Sequence, residues 1–116
     1  MTNEEFLQTY TDDVYHSRDP EAPARYIADP CLRHEAGKLL TMSIIDNQAR
    51  ITSFLTRFPT ARFRNKVTVS EGEHITSCYE AELGDGQVIS GIEVFRIVDG
   101  RITETWNAHP VPGAWG

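Results

Sequence analysis

Several things are scarce in this chain, and each scarcity removes a class of function. Its two cysteines, Cys31 and Cys78, have no C-x-x-C spacing, so neither a disulfide framework nor a thiolate metal knot is encoded. Its four histidines, His16, His34, His74 and His109, are too scattered for spacing alone to suggest a metal site. No apolar run approaches the roughly 20 residues of a membrane span, and the N-terminus lacks the basic-then-apolar layout of a secretory signal. Basic residues are outnumbered, 11 Lys and Arg against 17 Asp and Glu for a net charge of −6, which argues against a nucleic-acid partner. Repeats, low-complexity tracts and linkers are absent. What remains is a chain of 116 residues with the composition of a soluble globular protein. That length gives one domain with a real core and is too short for two. A reducing cytoplasm is the simplest compartment for it.

Helical signals fill the first half. Thr2-Asn3-Glu4-Glu5 has capping-box spacing, and Phe6, Leu7, Tyr10 and Val14 mark one face of a helix that should stop near Ser17. Asp19-Pro20 opens a short second helix carrying Tyr26 and Ile27, which Asp29-Pro30 ends. Cys31 to Leu40 reads as extended or irregular, with Gly37 as a turn. A third helix starts at about Ser43 with Asp46 at capping distance. Its expected buried stripe is Ile44, Ile45, Ile51, Phe54, Leu55 and Phe58, and Phe58-Pro59 terminates it.

The second half reads as an antiparallel meander. Ala61, Phe63, Val67 and Val69 alternate with Arg62, Arg64, Lys66 and Thr68, which predicts a strand wet on one face. Ile75, Ser77, Tyr79, Ala81 and Leu83 share a face of the next strand, with His74 on the opposite parity, at the surface or an interface. The run from Gln87 to Val98 is apolar on both sides. A sheet covered by helices on one face needs only one apolar side, so the spare side predicts a partner, most simply a second copy of the chain.

Asp99-Gly100 between two β-rich runs is a strong hairpin signal, because both turn residues need positive φ. A two-residue turn would set Val98 opposite Arg101, Ile97 opposite Ile102, Phe95 opposite Glu104 and Glu93 opposite Trp106. One face would then carry Glu93, Phe95, Ile97, Ile102, Glu104 and Trp106, two carboxylates among large apolar groups. A carboxylate in a poorly solvated place has its pKa raised, as general acid–base chemistry requires.

Three stretches carry a family likeness: the helix end Val14-Tyr15-His16-Ser17-Arg18-Asp19, the segment Tyr26 to Pro30 followed by His34 and Gly37, and the hairpin Ile92 to Asn107. Together they resemble the SnoaL-like polyketide cyclase branch of the nuclear transport factor 2-like superfamily. The resemblance covers nearly the whole chain, residues 1–116 as a single SnoaL-like domain. It implies an α+β fold, the cystatin-like α+β cone, with three N-terminal helices packed on a curved antiparallel sheet and an apolar ligand in the open end. Relatives commonly have Asp where this chain has Glu93, and His and Asp where it has Thr105 and Asn107. An amide cannot act as a general base, and in the hairpin register above Asn107 points away from Glu93 unless a bulge intervenes.

On this resemblance Glu93 is the leading acid–base residue, with His34 placed near the cavity to polarise a carbonyl or relay a proton. Tyr15 offers a phenol, Trp106 an apolar wall and an N–H donor, and Glu104 a second carboxylate. Phe58, Tyr79, Phe95 and Asn107 complete the expected ligand contacts. Each has a structural alternative: an ion-paired carboxylate, a hydrogen-bonded histidine, ordinary packing. The expected function is a cone that binds a small apolar or cyclic molecule and works as a cofactor-independent acid–base enzyme of isomerase, cyclase or dehydratase type, without metal. The alternatives are a non-catalytic binder of an apolar metabolite, or a dimerisation module with a vestigial pocket.

Overall fold

Both capping boxes form. In the computed structural model, which describes residues 1–116, the Thr2 hydroxyl accepts from the Glu5 amide at 3.1 Å and the Glu5 carboxylate accepts from the Thr2 amide at 2.9 Å. Helix α1 (Asn3–Tyr10) starts there and runs into a π-helical segment, Thr11–His16. After the short α2 (Ala22–Tyr26), strands β1 (Ile27–Glu35) and β2 (Lys38–Met42) form a hairpin. Only then comes α3 (Ile44–Arg57), opened by the Ser43–Asp46 box. Strands β3 (Arg62–Glu71), β4 (His74–Gly84), β5 (Gln87–Val98), β6 (Arg101–Asn107) and β7 (Val111–Pro112) complete the chain.

The mixed α+β architecture is as expected, but the helices are not consecutive: a hairpin separates α2 from α3. Ala36 and Gly37, both at positive φ, turn the chain between its two strands. Asp29-Pro30 does not end a helix, since α2 stops at Tyr26 and Pro30 lies inside β1. Proline offers no N–H to a ladder, and the β1–β6 register is broken between Ile27 and Leu32.

The strands make one sheet in the order β2-β1-β6-β5-β4-β3, with β7 pairing β5. Only β1 and β6 run parallel. The helices lie against the concave face, where Leu7, Val14, Ile27, Ile51, Ile75, Phe95 and Ile102 form the centre of the core. No helix is long and apolar enough to cross a membrane.

Bulges set which residues reach that concave face. One at Lys66 shifts the β3–β4 register, so Phe63 and Asn65 point inward while Val67 and Val69 emerge on the outer face, 57% and 66% exposed. The alternation expected for this strand therefore fails halfway along it. A second bulge sits in β6. Val98 pairs with Arg101 and Ile97 with Ile102, as the turn dictates, but Thr103 is then extra and Arg96 pairs with Glu104. From that point Phe95 faces Thr105, Val94 faces Trp106 and Glu93 faces Asn107. The expected pairings of Phe95 with Glu104 and Glu93 with Trp106 are corrected accordingly. A single added residue moves every later side chain to the other face.

The stripe expected on α3 is also redrawn. Ile45 is exposed, and the buried face runs through Asn47 and Ile51.

Gly91 leaves room for a cavity-lining phenol. It faces Tyr79 across the β4–β5 ladder, and the Tyr79 hydroxyl lies 2.6 Å from where a Cβ on Gly91 would stand. Gly91→Ala must displace that phenol and is expected to cost about 1–3 kcal/mol, typical of overpacking. Urea denaturation measures the loss, which should largely vanish in a Tyr79→Ala background. A cost that persists there would place the strain in the backbone instead.

Candidate functional site

Between the helices and the concave face lies a cavity of about 420 Å³. Its walls are apolar, formed by Leu7, Phe54, Phe63, Ile89 and Phe95, and its floor is polar and charged. Three features of the chain build that floor.

The π-helical segment supplies the first. In a π-turn residue i bonds to i+5, as the Ser17 amide does to the Asp12 carbonyl at 2.7 Å. Residues five apart then share a face, which brings Tyr10 and Tyr15 together on the cavity side with ring centroids 5.9 Å apart. His16 anchors this segment. Its Nδ1 meets Asp12 at 2.9 Å while its Nε2 accepts from the Phe63 amide at 2.9 Å, so the ring ties the helix end to β3. The side chains of Ser77, Asn65 and Thr11 form a hydrogen-bonded chain from the sheet back to the helix, at 2.7 and 3.2 Å.

Strand β1 supplies the second feature, a guanidinium between two carboxylates. Arg33 Nε donates to Glu35, its Nη1 lies 3.9 Å from Glu93, and its side chain is only 13% exposed. In the orientation that satisfies both ends of the Asn107 amide, the oxygen accepts from Arg33 Nη2 at 3.0 Å and the nitrogen donates to the Ala108 carbonyl at 3.1 Å. The two acids are pulled in opposite directions. The Arg33 hydrogen bond holds Glu35 below the usual carboxylate pKa. Burial pushes Glu93 above it, outweighing the opposite pull of Arg33 and Arg50. Burial likewise raises the phenols of Tyr10, well above the usual value, and of Tyr79, to about 12 with Glu93 adding to the rise.

Helix α3 supplies the third. Asn47, Arg50, Ile51 and Phe54 follow the i, i+3, i+4, i+7 spacing of one helix face. Asn47 is 3% exposed and Arg50 lines the cavity floor.

The structure gathers Glu93, Tyr15, Tyr79, Phe95 and Asn107 around this cavity. It does not bring His34, Glu104 or Trp106 there. All three stand on the outer face of the sheet, His34 because it alternates with Arg33 and Glu35 on β1, the other two because of the bulge at Thr103. There His34 stacks on Trp106, with ring centroids 5.1 Å apart and planes 1° from parallel, and its Nε2 meets Glu104 at 2.7 Å. Phe58 packs on Phe54 at 5.1 Å behind the cavity wall and does not line it. Sequence reasoning missed Arg33, Glu35, Arg50, Asn65 and Ser77. For Arg33 and Glu35 the signal was strand parity: choosing His34 as inward excludes both its neighbours. For Arg50 it was helical spacing. No three His, Cys, Asp or Glu side chains converge where they could hold a metal ion.

Solved structures similar to this one match along nearly the whole chain. A candidate polyketide cyclase from Acidithiobacillus ferrooxidans gives a TM-score of 0.80 at 19% sequence identity, covering 92% of this chain and 89% of that one. A SnoaL-like polyketide cyclase from Agrobacterium tumefaciens gives 0.78 at 12% identity, covering 97% and 92%. An uncharacterised cystatin-fold protein from Novosphingobium aromaticivorans gives 0.79 at 14% identity, covering 94% and 99%. No protein-family model matches the sequence, and no curated protein does. At these identities the likeness shows the fold, which is the cone of SnoaL-like polyketide cyclases and other nuclear transport factor 2-like proteins.

The raised pKa of Glu93 has a consequence for stability. The native state holds this proton more tightly than the unfolded chain. Stability therefore falls as pH rises from the ordinary value of 4.5 through the native pKa. Glu93→Gln removes that titration. The variant should gain stability relative to the wild type as pH rises through that window, with the advantage shrinking as pH falls towards 4.5 and gone below it. Urea melts across a pH series measure the difference, and a difference that does not vary with pH would mean that Glu93 titrates normally.

Proposed function

We propose that the cone holds a small cyclic or polyketide-like carbonyl compound and that Glu93 moves its proton, without metal or organic cofactor. The observation carrying this reading is the pair of acids with opposed environments on one cavity floor, Glu35 held ionised by Arg33 and Glu93 pushed towards its neutral form. Environments that separate two such pKa values assign acid and base roles. A carboxylate with a raised pKa is, once ionised, a stronger base than a solvated one.

The ionised Glu93 takes a proton from carbon beside the substrate carbonyl, and the electron pair moves onto the carbonyl oxygen. Tyr10 and Tyr79 remain protonated and donate to that developing oxyanion, as preorganised donors in a water-poor site do. The protonated Glu93 then has three uses. Returning the proton to a different carbon isomerises the substrate. Protonating a β-hydroxyl as it departs dehydrates it. Protonating the alkoxide formed when the enolate attacks an internal carbonyl completes an aldol ring closure. The cyclase names of the fold neighbours add weight to the last. Arg33 and Asn107 position Glu93 and keep Glu35 from competing as base.

Solvent-deuterium exchange into a panel of cyclic 1,3-diketones, followed by NMR, tests the reading. Wild type should accelerate exchange, and Glu93→Gln should lose about 10²–10⁴-fold of the acceleration while still binding. Unchanged exchange removes Glu93 from the mechanism. Binding without any exchange by the wild type leaves a non-catalytic binder of an apolar metabolite.

The chain is proposed to work as a homodimer through the outer face of the sheet. Val67, Val69 and Ile92 are 57%, 66% and 44% exposed there, close to the His34–Trp106 stack, and a contiguous apolar patch of this kind marks an interface. Sedimentation analysis should find a dimer that Val69→Lys splits into monomers with the cavity intact. A monomeric wild type at high micromolar concentration would rule this interface out.

A further inference from the structure

Two arginines line the same cavity and are treated differently. Arg33 is engaged throughout, by Glu35, Glu93 and the Asn107 amide. Arg50 is not. Its Nη2 donates to Asn47 Oδ1 at 3.2 Å, its Nε is sealed from solvent without a hydrogen-bond partner, and no carboxylate lies within 4.0 Å of it. Besides Asn47, the groups whose charge or hydrogen bonding bears on it are Tyr15, Tyr10 and Glu93. A guanidinium cannot shed its proton. A permanent cation withdrawn from water costs several kcal/mol unless a counter-charge offsets it. Glu93 offsets that charge only from beyond ion-pair distance, since no contact between the two falls within 4.0 Å.

The remainder of the cavity indicates what the counter-charge belongs to. With Arg33 paired to Glu35, Arg50 is the cation of the floor that no carboxylate touches, and it faces the apolar walls of Leu7, Phe54 and Phe63. A ligand matching that surface is amphipathic: a ring system against the walls and an anionic oxygen on the floor. Planar carboxylates fit the guanidinium fork, and hydrogen bonds between two charged partners are the stronger kind.

We propose that Arg50 is the anion-binding residue of the cone, and that the ligand carries a carboxylate which pairs with the guanidinium edge left free by Asn47, beside the Tyr15 hydroxyl. This rests on the reading of the cavity as a ligand site and narrows its substrate class to carbonyl compounds that are also acids. The carboxylate then anchors the molecule at α3 while its enolisable carbon lies towards Glu93 on β5. Arg50 is a binding residue here and takes no proton.

Calorimetric titration with 2-naphthoate and 2-naphthamide, two probes of nearly one shape that differ in charge, tests the assignment. Wild type should bind the naphthoate about tenfold tighter or more, roughly the worth of one charge-assisted contact. Arg50→Met should keep its affinity for the amide and lose the preference. If that variant does not fold, Arg50→Gln, which keeps donors without the charge, should show the same loss. Equal binding of both probes to the wild type, or a preference that survives in the variants, overturns the anion site and leaves the proton-transfer reading standing. Failure of both probes to bind the wild type overturns the anion site and the ligand cavity together.

Discussion

The extra residue at Thr103 is the constraint on which the rest of the site depends. Strands alternate their side chains with a period of two, so inserting one residue into β6 exchanges its faces from Glu104 onward. Without it, Glu104 and Trp106 would fill the concave side and Asn107 would point away from it. With it, Thr105 reaches the core, Asn107 reaches Arg33, and the bulky pair goes outside. The exchange opens space as well as altering chemistry, since an indole beside Glu93 would occupy the volume the cavity now has. Register shifts also interrupt the β3–β4 and β4–β5 ladders. Bulges bend a strand and increase its twist. The curvature that makes a cone and the parity changes that decorate its interior thus have a common origin.

A cavity with a charged floor works against folding, and this chain confines the cost. Apolar packing is concentrated where α1 and α3 meet the sheet at Ile75, Phe95 and Ile102, and the ionisable groups are collected at one side of it. There the Arg33 guanidinium serves two acids and an amide at once, satisfying most of the polar atoms that burial would otherwise strand. The exceptions are informative. Asn47 Nδ2, Arg50 Nε and Thr105 Oγ1 are buried without partners, and they border one small space beneath Glu93 and Arg50. Unsatisfied buried polar atoms are uncommon in native proteins. Their concentration beside the candidate base marks this region as shaped by something other than stability.

Much of the fold was legible because local signals and tertiary packing agree. Both capping boxes, the Asp99-Gly100 turn, the β4 alternation and the inward position of Glu93 follow from spacing alone. What was not legible has two physical sources. Bulges carry no strong sequence signature, so parity propagated from a correct turn was right for Ile102 and wrong for Glu104 and Trp106, and in β3 right for Phe63 and wrong for Val67 and Val69. The second source is polarity in buried slots. Asn47 and Arg50 occupy helical positions that a hydrophobic stripe should fill, and a search for apolar periodicity chose the exposed Ile45 in their place. Arg33 and Glu35 were hidden in the same manner, by attention to the histidine between them. Functional sites are where charged residues interrupt an apolar pattern, so the rules that find the core pass over the site.

The outer cluster is more than residue displaced from the cavity. On β1, Arg33, His34 and Glu35 alternate inward, outward and inward, and on β6 Glu104, Thr105, Trp106 and Asn107 alternate likewise. These two strands form the only parallel pair in the sheet, and parallel pairing is slightly less stable per residue than antiparallel. On the outside, His34 stacks on Trp106 and hydrogen-bonds Glu104, which also faces Arg96 at 3.7 Å. That network clamps the register of β1 against β6 at the same positions whose inward neighbours are Arg33, Glu35, Thr105 and Asn107. A slip that broke the stack outside would carry Arg33 away from Asn107 and Glu93 inside. His34 and Trp106 therefore bear on the candidate site through the strands they hold in register, and the side chains that resemble catalytic groups in the sequence serve as its scaffold.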